Sequence, residues 1–452
     1  MNVRHGFTAV SSALLLSLAL PGWTGERQTG LEAGAEGLHV QDRAHLLRTV
    51  KTLNKGRSAF RHDTFGDESF WGGALRLHEA IAGSENGGIG DGITPRTALQ
   101  LGMKVDRKAL PRSLKRDLAR GRVDLDDPAT TLLLLELDAI VGLKGFFDDG
   151  ELASVGITCA LCHSTVDDSF APGIGRRLDG WAAGDLNVGA IIAASPDLQP
   201  LVDRLSFALP GITESAVLEV LDSWGPGRFD ASLLIDGKAV RPDGGTAATL
   251  IPSIFGLAGV NLHTWTGWGS VTHWNAFVAN LEMGGQGVFV DARLKDPAKF
   301  PIAAAAGLHD VRHDPDLVTP KLPALHLYQL SLEPPEPPKS SVDERAVARG
   351  RTLFNGQAQC AGCHVPPIYT EPGWNMHTAD EIGIDTFQAD RSPDERYRTA
   401  PLRGLWTRGQ RGYYHDGRFA TLDDVVAHYD GHFSLGLGPQ DRADLVSFLK
   451  SL

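Results

Sequence analysis

The sequence predicts a mainly α-helical chain with an additional N-terminal helical region and two lobes that repeat one another. Three observations predict it. The pentapeptide Cys-x-x-Cys-His occurs twice, as CALCH at Cys159–His163 and as CAGCH at Cys360–His364. A second pair of matching segments follows: Pro252, Ser253 and Ile254 lead to Trp265, Thr266 and Gly267, and Pro401 and Leu402 lead to His415, Asp416 and Gly417. Apolar residues recur at helical spacing around these landmarks, at Leu46, Leu47, Val50 and Leu53 early in the chain and at Leu445, Phe448, Leu449 and Leu452 at its end.

The pentapeptide carries its own chemistry. Cys360 and Cys363 are spaced to form thioether bonds to the two vinyl groups of one porphyrin, and the adjacent His364 to coordinate its iron. Cys159, Cys162 and His163 repeat the arrangement, so the expectation is two covalently bound haem c groups. The chain has 4 cysteines and the two motifs use them all, leaving none for a disulfide or a thiolate nucleophile. Zinc is the rival for paired Cys-x-x-Cys units, but a ribbon-type site sets the pairs closer together and needs no histidine after each.

At 452 residues and 42% hydrophobic, the chain is long enough to bury two or more cores. Its net charge of -12 argues against nucleic-acid binding, which depends on lysine and arginine neutralising phosphates. Arg4 and His5 followed by an apolar run from Phe7 to Leu20, then Pro21 and Gly22, read as a signal peptide over residues 1–25. An uncleaved anchor is the alternative reading. The run is short for a membrane span and no later segment has the length for one, so a periplasmic protein without a membrane span after signal cleavage is expected.

Taken in order, residues 26–332 form the expected first lobe. The run of leucines within Thr130 to Leu143 reads as a buried helix leading towards CALCH, and the Gly and Asp residues of Asp148 to Gly156 read as a loop. The basic residues Arg107, Lys108, Arg112, Lys115, Arg116 and Arg120 read as a solvated helix face, with docking of an acidic partner as the second reading. His62 and His78 read as structural histidines. Residues 333–340 contain EPPEPPK, a proline-rich linker. Residues 341–452 form a lobe of cytochrome size, with Gly350, Leu353 and Phe354 on a helix entering CAGCH and a closing helix started by Gly438, Pro439 and Asp441.

The matching segments extend to Ser270-Val271 and Thr421-Leu422, with proline-to-glycine intervals of 15 (252 to 267) and 16 (401 to 417) residues. Such a repeat implies two copies of one haem-binding unit, each with a turn and helix over the distal side of its haem. With these residues in view, the chain resembles the bacterial dihaem cytochrome c peroxidases and the related MauG-type proteins. The resemblance is densest in YRTAPLRGLWTRGQRGYYHDGRFATLDDVVAHY, Tyr397 to Tyr429, is looser in PSIFGLAG and HTWTGWGSV, and is absent from residues 26–150.

The resemblance implies two mainly α-helical cytochrome c-type haem lobes. It implies a first haem at Cys159–His163 that reacts with hydrogen peroxide or another small oxidant, and a second at Cys360–His364 that relays electrons from a soluble donor, a small cytochrome c or a cupredoxin. It places Trp265 between the haems and Asn275 and Glu282 on the distal side of the first, where a proton must move between the two oxygens of a breaking O–O bond. It also allows for a calcium ion between the lobes. The chain departs from the pattern with Asn275 for glutamine, Thr266 for aspartate, and no methionine from Gln410 to Gly412. His415, Tyr413 and Tyr414 are the candidates for the second iron's distal ligand, with His415 taken as the metal residue. Met283, His263 and His273 are candidates at the first, and Met376 reads as structural. Two other functions stay open: a pure electron carrier with both irons six-coordinate, and a MauG-like oxidase of an organic or protein substrate.

Overall fold

The computed structural model describes residues 39–338, 341 and 343–452. The expected signal peptide lies outside them, as does the end of the proline-rich segment. The chain divides into two compact units, Met1–Lys51 and Thr52–Leu452. Of the first, residues 39–51 are described; they include the opening of helix α1 (Val40–His62), on which Leu46 and Val50 are half-buried and Leu47 is exposed. Both pentapeptides lie in the second unit.

Helices carry most of the regular structure, and the strands are short two-stranded pairings. Among the described residues no helix is long and apolar enough to cross a membrane. Buried apolar side chains gather into a large cluster drawn from Phe60 to Tyr328 and a separate one drawn from Phe354 to Leu449, with a third around Ile235, Trp268 and Phe300.

Two expectations for the approach to CALCH need correction. The leucine-rich helix α2 spans Pro128–Glu136, capped by the Asp127 carboxylate on Ala129 N–H, and stops short of Leu143. Asp138 sits at φ 51° and Gly142 at φ 82°, which no helix continues through. The stretch read as a loop is a hairpin, β1 (Leu143–Asp148) paired with β2 (Glu151–Ile157). Asp149 and Gly150, at φ 48° and 88°, supply the two left-handed positions that a two-residue hairpin turn needs. The hairpin delivers the chain into α3 (Ala160–His163), and Thr158 N–H closes the entry by donating to Gly142 C=O at 2.9 Å. A Cβ on Gly142 would lie 2.2 Å from Leu161 N, so only glycine lets the helix come this close.

At the other end, α4 (Glu344–Asn355) starts on the Asp343 cap and α5 (Pro439–Lys450) on Gly438, Pro439 and Asp441, as the sequence suggests. The two helices cross at Gly350, where a Cβ would meet Asp444 O at 2.0 Å. Phe354 and Phe448 meet edge to face beside the crossing, with centroids 5.1 Å apart, and Arg349 clamps the Asp444 carboxylate at 2.5 and 2.7 Å. The proline-rich segment forms no helix or strand through Pro338, and Pro335 C=O accepts from Trp406 Nε1 at 2.9 Å. Gly350→Ala is expected to overpack the α4–α5 crossing and cost about 1–3 kcal/mol, read as a lower denaturation midpoint at unchanged slope.

Candidate functional site

The first pentapeptide opens onto a large cavity, which encloses about 1950 Å³ including its mouth. Cys159, Cys162 and His163 line it, together with Trp265, expected between the haems, and Asn275 and Glu282, expected on the distal side of the first. His163 Nδ1 lies 3.0 Å from Pro252 C=O. Burial lowers this imidazole to about 4, so at neutral pH it is uncharged. With Nδ1–H donating to Pro252, the Nε2 lone pair is left free, which is how a histidine is held for a metal. Burial pushes the thiols of Cys159 and Cys162 up to about 12.

Glu282 ends a π-helical turn, Val278–Glu282, that follows the helix Val271–Phe277. Its Oε1 is buried without a partner, and burial, with a smaller push from Asp230, lifts the carboxyl to about 8. Asn275 is tied to Gln329 by two reciprocal amide bonds of 2.7 and 2.9 Å, and Gln329 also lines the cavity. Trp265 Nε1 donates to Leu250 C=O at 3.1 Å, and the Arg408 guanidinium lies 5.2 Å from its ring.

Arg398 and Arg408 were not singled out in the sequence, yet both face this cavity without a carboxylate partner, and burial lowers each to about 10. Two uncompensated cations at the edge of an apolar cavity suit a flat apolar group carrying acidic arms. The cavity walls, the two cysteines, the oriented imidazole and these arginines together fit a haem. Arg391 also reaches the cavity, but it is fully paired with Asp230 at 2.9 Å and Asp236 at 2.7 Å.

At the second pentapeptide, a short 3-10 turn spans Cys360–Gly362 and His364 Nδ1 lies 3.3 Å from Tyr369 C=O. Burial lowers His364 to about 4 and raises Cys360 to about 11, while Cys363 is exposed. The His415 ring stacks on Tyr397 at 5.3 Å, and the charges around it are those of Asp416, Arg418, Asp385 and Arg241. Tyr414 packs against the same C-terminal core as Cys360 and Ala361, and its hydroxyl is buried. Burial, reinforced by the neighbouring Tyr429, raises its phenol far above the usual range.

The turns that carry these residues share one local geometry. Bridges pair His263 with Gly269 and Tyr413 with Phe419. The second residue of each turn is left-handed, Thr264 at φ 66° and Tyr414 at φ 68°, and the fifth is glycine, Gly267 at φ 61° and Gly417 at φ 73°. A capped helix follows each, Val271–Phe277 on Ser270 and Leu422–Phe433 on Thr421. Thr264 therefore occupies the position of Tyr414, and Trp265 that of His415. Thr264 lines the first cavity with its hydroxyl unpartnered, and so does His263, whose Nε2 is committed to Val260 C=O at 3.1 Å.

The other expected ligands divide. Met283 lines the first cavity, whereas His273 packs against Trp268 and Phe277 with Asp291 3.8 Å from its Nε2. Met376 Sδ lies 3.1 Å from where a Cβ on Gly267 would be. Among the described residues one group of three metal-type side chains comes together, Cys363, Glu371 and His377. A thiol and an imidazole with one carboxylate are not the oxygen set that calcium takes.

No protein-family model matches the chain. It is 31% identical over 130 residues to the methylamine utilization protein MauG of Methylorubrum extorquens, a match covering 24% of this chain and 36% of that protein. It is 28% identical over 149 residues to the cytochrome-c peroxidase IdrP1 of Denitromonas iodatirespirans, covering 23% and 39%. The chain is similar to the dihaem cytochrome c peroxidase and MauG proteins. The matches span under two fifths of the length of these curated relatives. A solved hydrazine synthase of Kuenenia stuttgartiensis aligns over 48% of this chain and 76% of its own, at a TM-score of 0.27 and 19% identity.

Behind the hairpin, Asp67 is fully buried with both oxygens 3.2–3.3 Å from Ile157 N–H, and burial, then Glu68, raises it from 3.8 to about 9. The folded chain thus holds this proton more tightly than the unfolded chain. Its contribution to stability is fully present below about pH 4 and is lost as pH rises to about 9. Asp67→Asn keeps the acceptor for Ile157, so its stability relative to the parent is expected to rise from pH 5 to pH 9 in paired denaturation curves.

Proposed function

We propose that the chain is a periplasmic dihaem c-type cytochrome that reduces a small peroxide at the haem of Cys159–His163, using electrons relayed through the haem of Cys360–His364. The two haem units are copies of one ancestral unit. The observation that carries the reading is the contrast between Thr264 and Tyr414 at one position of the two matching turns. A phenol reaches much farther than a threonine hydroxyl, so Tyr414 would help hold a haem bound at Cys360–His364, whereas Thr264 would leave one bound at Cys159–His163 accessible to a small oxidant. Tyr414 takes this role in preference to His415 because Tyr414 packs against the same core as Cys360 and Ala361, whereas His415 stacks on Tyr397.

When bound, the first haem supplies an iron that can take up peroxide and store its oxidising equivalents. The rest falls to the protein. Glu282, lifted to about 8 by burial, carries a proton at neutral pH and can deliver it into the cavity. Gln329 fixes the orientation of Asn275, which lines the same cavity as Glu282 without the reach of a glutamine. A phenol holding the second haem would lower its potential, which suits a relay of electrons to the first. The external donor is a soluble cytochrome c or cupredoxin.

A second reading, oxidation of an organic or protein substrate, has its own support. Trp268 and Trp274 both line the first cavity, meet edge to face at 5.0 Å, and lead to Arg293, whose side chain is 41% exposed.

Steady-state turnover of hydrogen peroxide with a reduced small cytochrome c tests the main reading. Glu282→Gln is expected to lower kcat by about 10²–10⁴ with the haem spectra unchanged. A wild-type protein that shows no turnover is an electron carrier or an oxidase of something else, and the reading falls.

A further inference from the structure

A second, smaller pocket adjoins the first cavity and shares Trp71, Phe229, Ala231 and Glu282 with it. It encloses about 630 Å³ including its opening, and its walls are almost wholly apolar: Phe70, Leu201, Leu205, Val217, Val220 and Leu221. The stretch of chain that forms much of this wall, Leu201 to Trp224, also carries the exposed Phe207, Leu209 and Leu218.

Three polar groups interrupt the apolar lining, and each has a buried atom without a partner: Trp224 Nε1, Asp230 Oδ2 and Glu282 Oε1. Trp224 and Asp230 are 3% and 4% exposed, so bulk water does not satisfy them. Asp230 is held by its other oxygen, which accepts from Arg391 Nη2 at 2.9 Å and from Ser232 and Leu233 N–H at 3.1 Å. A stranded donor and stranded acceptors in an apolar pocket call for a neutral ligand with an apolar body and one group that both donates and accepts. An ion pays too much desolvation to enter, and a pure hydrocarbon leaves all three atoms unmet.

We propose that this pocket binds the alkyl group of a small alkyl hydroperoxide and presents its O–O bond to Glu282 and the first haem. The inference rests on the peroxide-reducing reading and names its substrate class. The reaction balances as ROOH plus two electrons and two protons giving ROH and water. The O–O bond breaks, the soluble donor supplies both electrons, Glu282 supplies one proton and solvent the other, and the alcohol leaves through the apolar mouth.

Binding can be read without turnover, because Trp71 and Trp224 line the pocket. Titrating the haem-loaded protein with tert-butanol is expected to change tryptophan emission saturably, and Val220→Phe, which fills the pocket, is expected to abolish the change. In turnover, Val220→Phe is expected to lower kcat/KM for tert-butyl hydroperoxide at least tenfold more than for hydrogen peroxide. Absence of saturable tert-butanol binding overturns the proposal. So does hydrogen peroxide turnover without tert-butyl hydroperoxide turnover, or an equal loss for both in Val220→Phe. If neither peroxide is reduced, the haem-site reading fails, and tert-butanol binding abolished by Val220→Phe still upholds an alcohol-sized pocket.

Discussion

Leu250 is the strut on which the site depends. Its N–H donates to His415 C=O at 2.7 Å and its C=O accepts from Trp265 Nε1 at 3.1 Å, so one residue joins the two matching turns through counterpart positions. Two residues on, Pro252 C=O holds the His163 imidazole. The strand that carries Leu250, Thr249–Leu250, is itself fixed by pairing with Arg228–Phe229, and Ile251 N–H adds a bond to Gly227 C=O. A stretch of four residues therefore orients the ligand of one pentapeptide and the turns that face both. Backbone groups do this work, so the identity of residue 250 matters less than the path of the chain through it.

The same constraint explains how alike turns can serve unlike irons. A left-handed second residue aims its side chain off the line of the turn, and a non-glycine there carries a conformational cost that its surroundings must offset. With the backbone held constant, the difference in reach between a threonine hydroxyl and a phenol is what the proposed division of roles rests on: Thr264 would leave the first site to Glu282 and Asn275, and Tyr414 would serve the second. Buried charge follows this division: the first cavity keeps Arg398 and Arg408 without carboxylates, while Arg391 nearby is neutralised by two aspartates.

What could be read from the sequence was what local covalent chemistry dictates. Cysteine and histidine must be close in the chain to grip one porphyrin, so CALCH and CAGCH announce themselves, and so do the caps at Asp343 and Gly438. Trp265, Asn275 and Glu282 were reached through resemblance and do share one cavity. The hairpin over Leu143–Ile157 had a signal in Asp149-Gly150 that the surrounding glycines and aspartates masked. Gln329 and the two arginines without carboxylate partners were hidden because their roles come from contacts with residues far away in the chain. The left-handed φ of Tyr414 and the stacking of His415 on Tyr397 were hidden because both come from the folded path of the turn rather than from residue type.

The central claim is that the two irons differ because Thr264 and Tyr414 do. Carbon monoxide binding to the fully reduced, haem-loaded protein measures this most directly, since the ligand takes only an iron with an open or weakly held sixth position. The account predicts saturation at one carbon monoxide per chain. Saturation at two, or no binding at all, would contradict it.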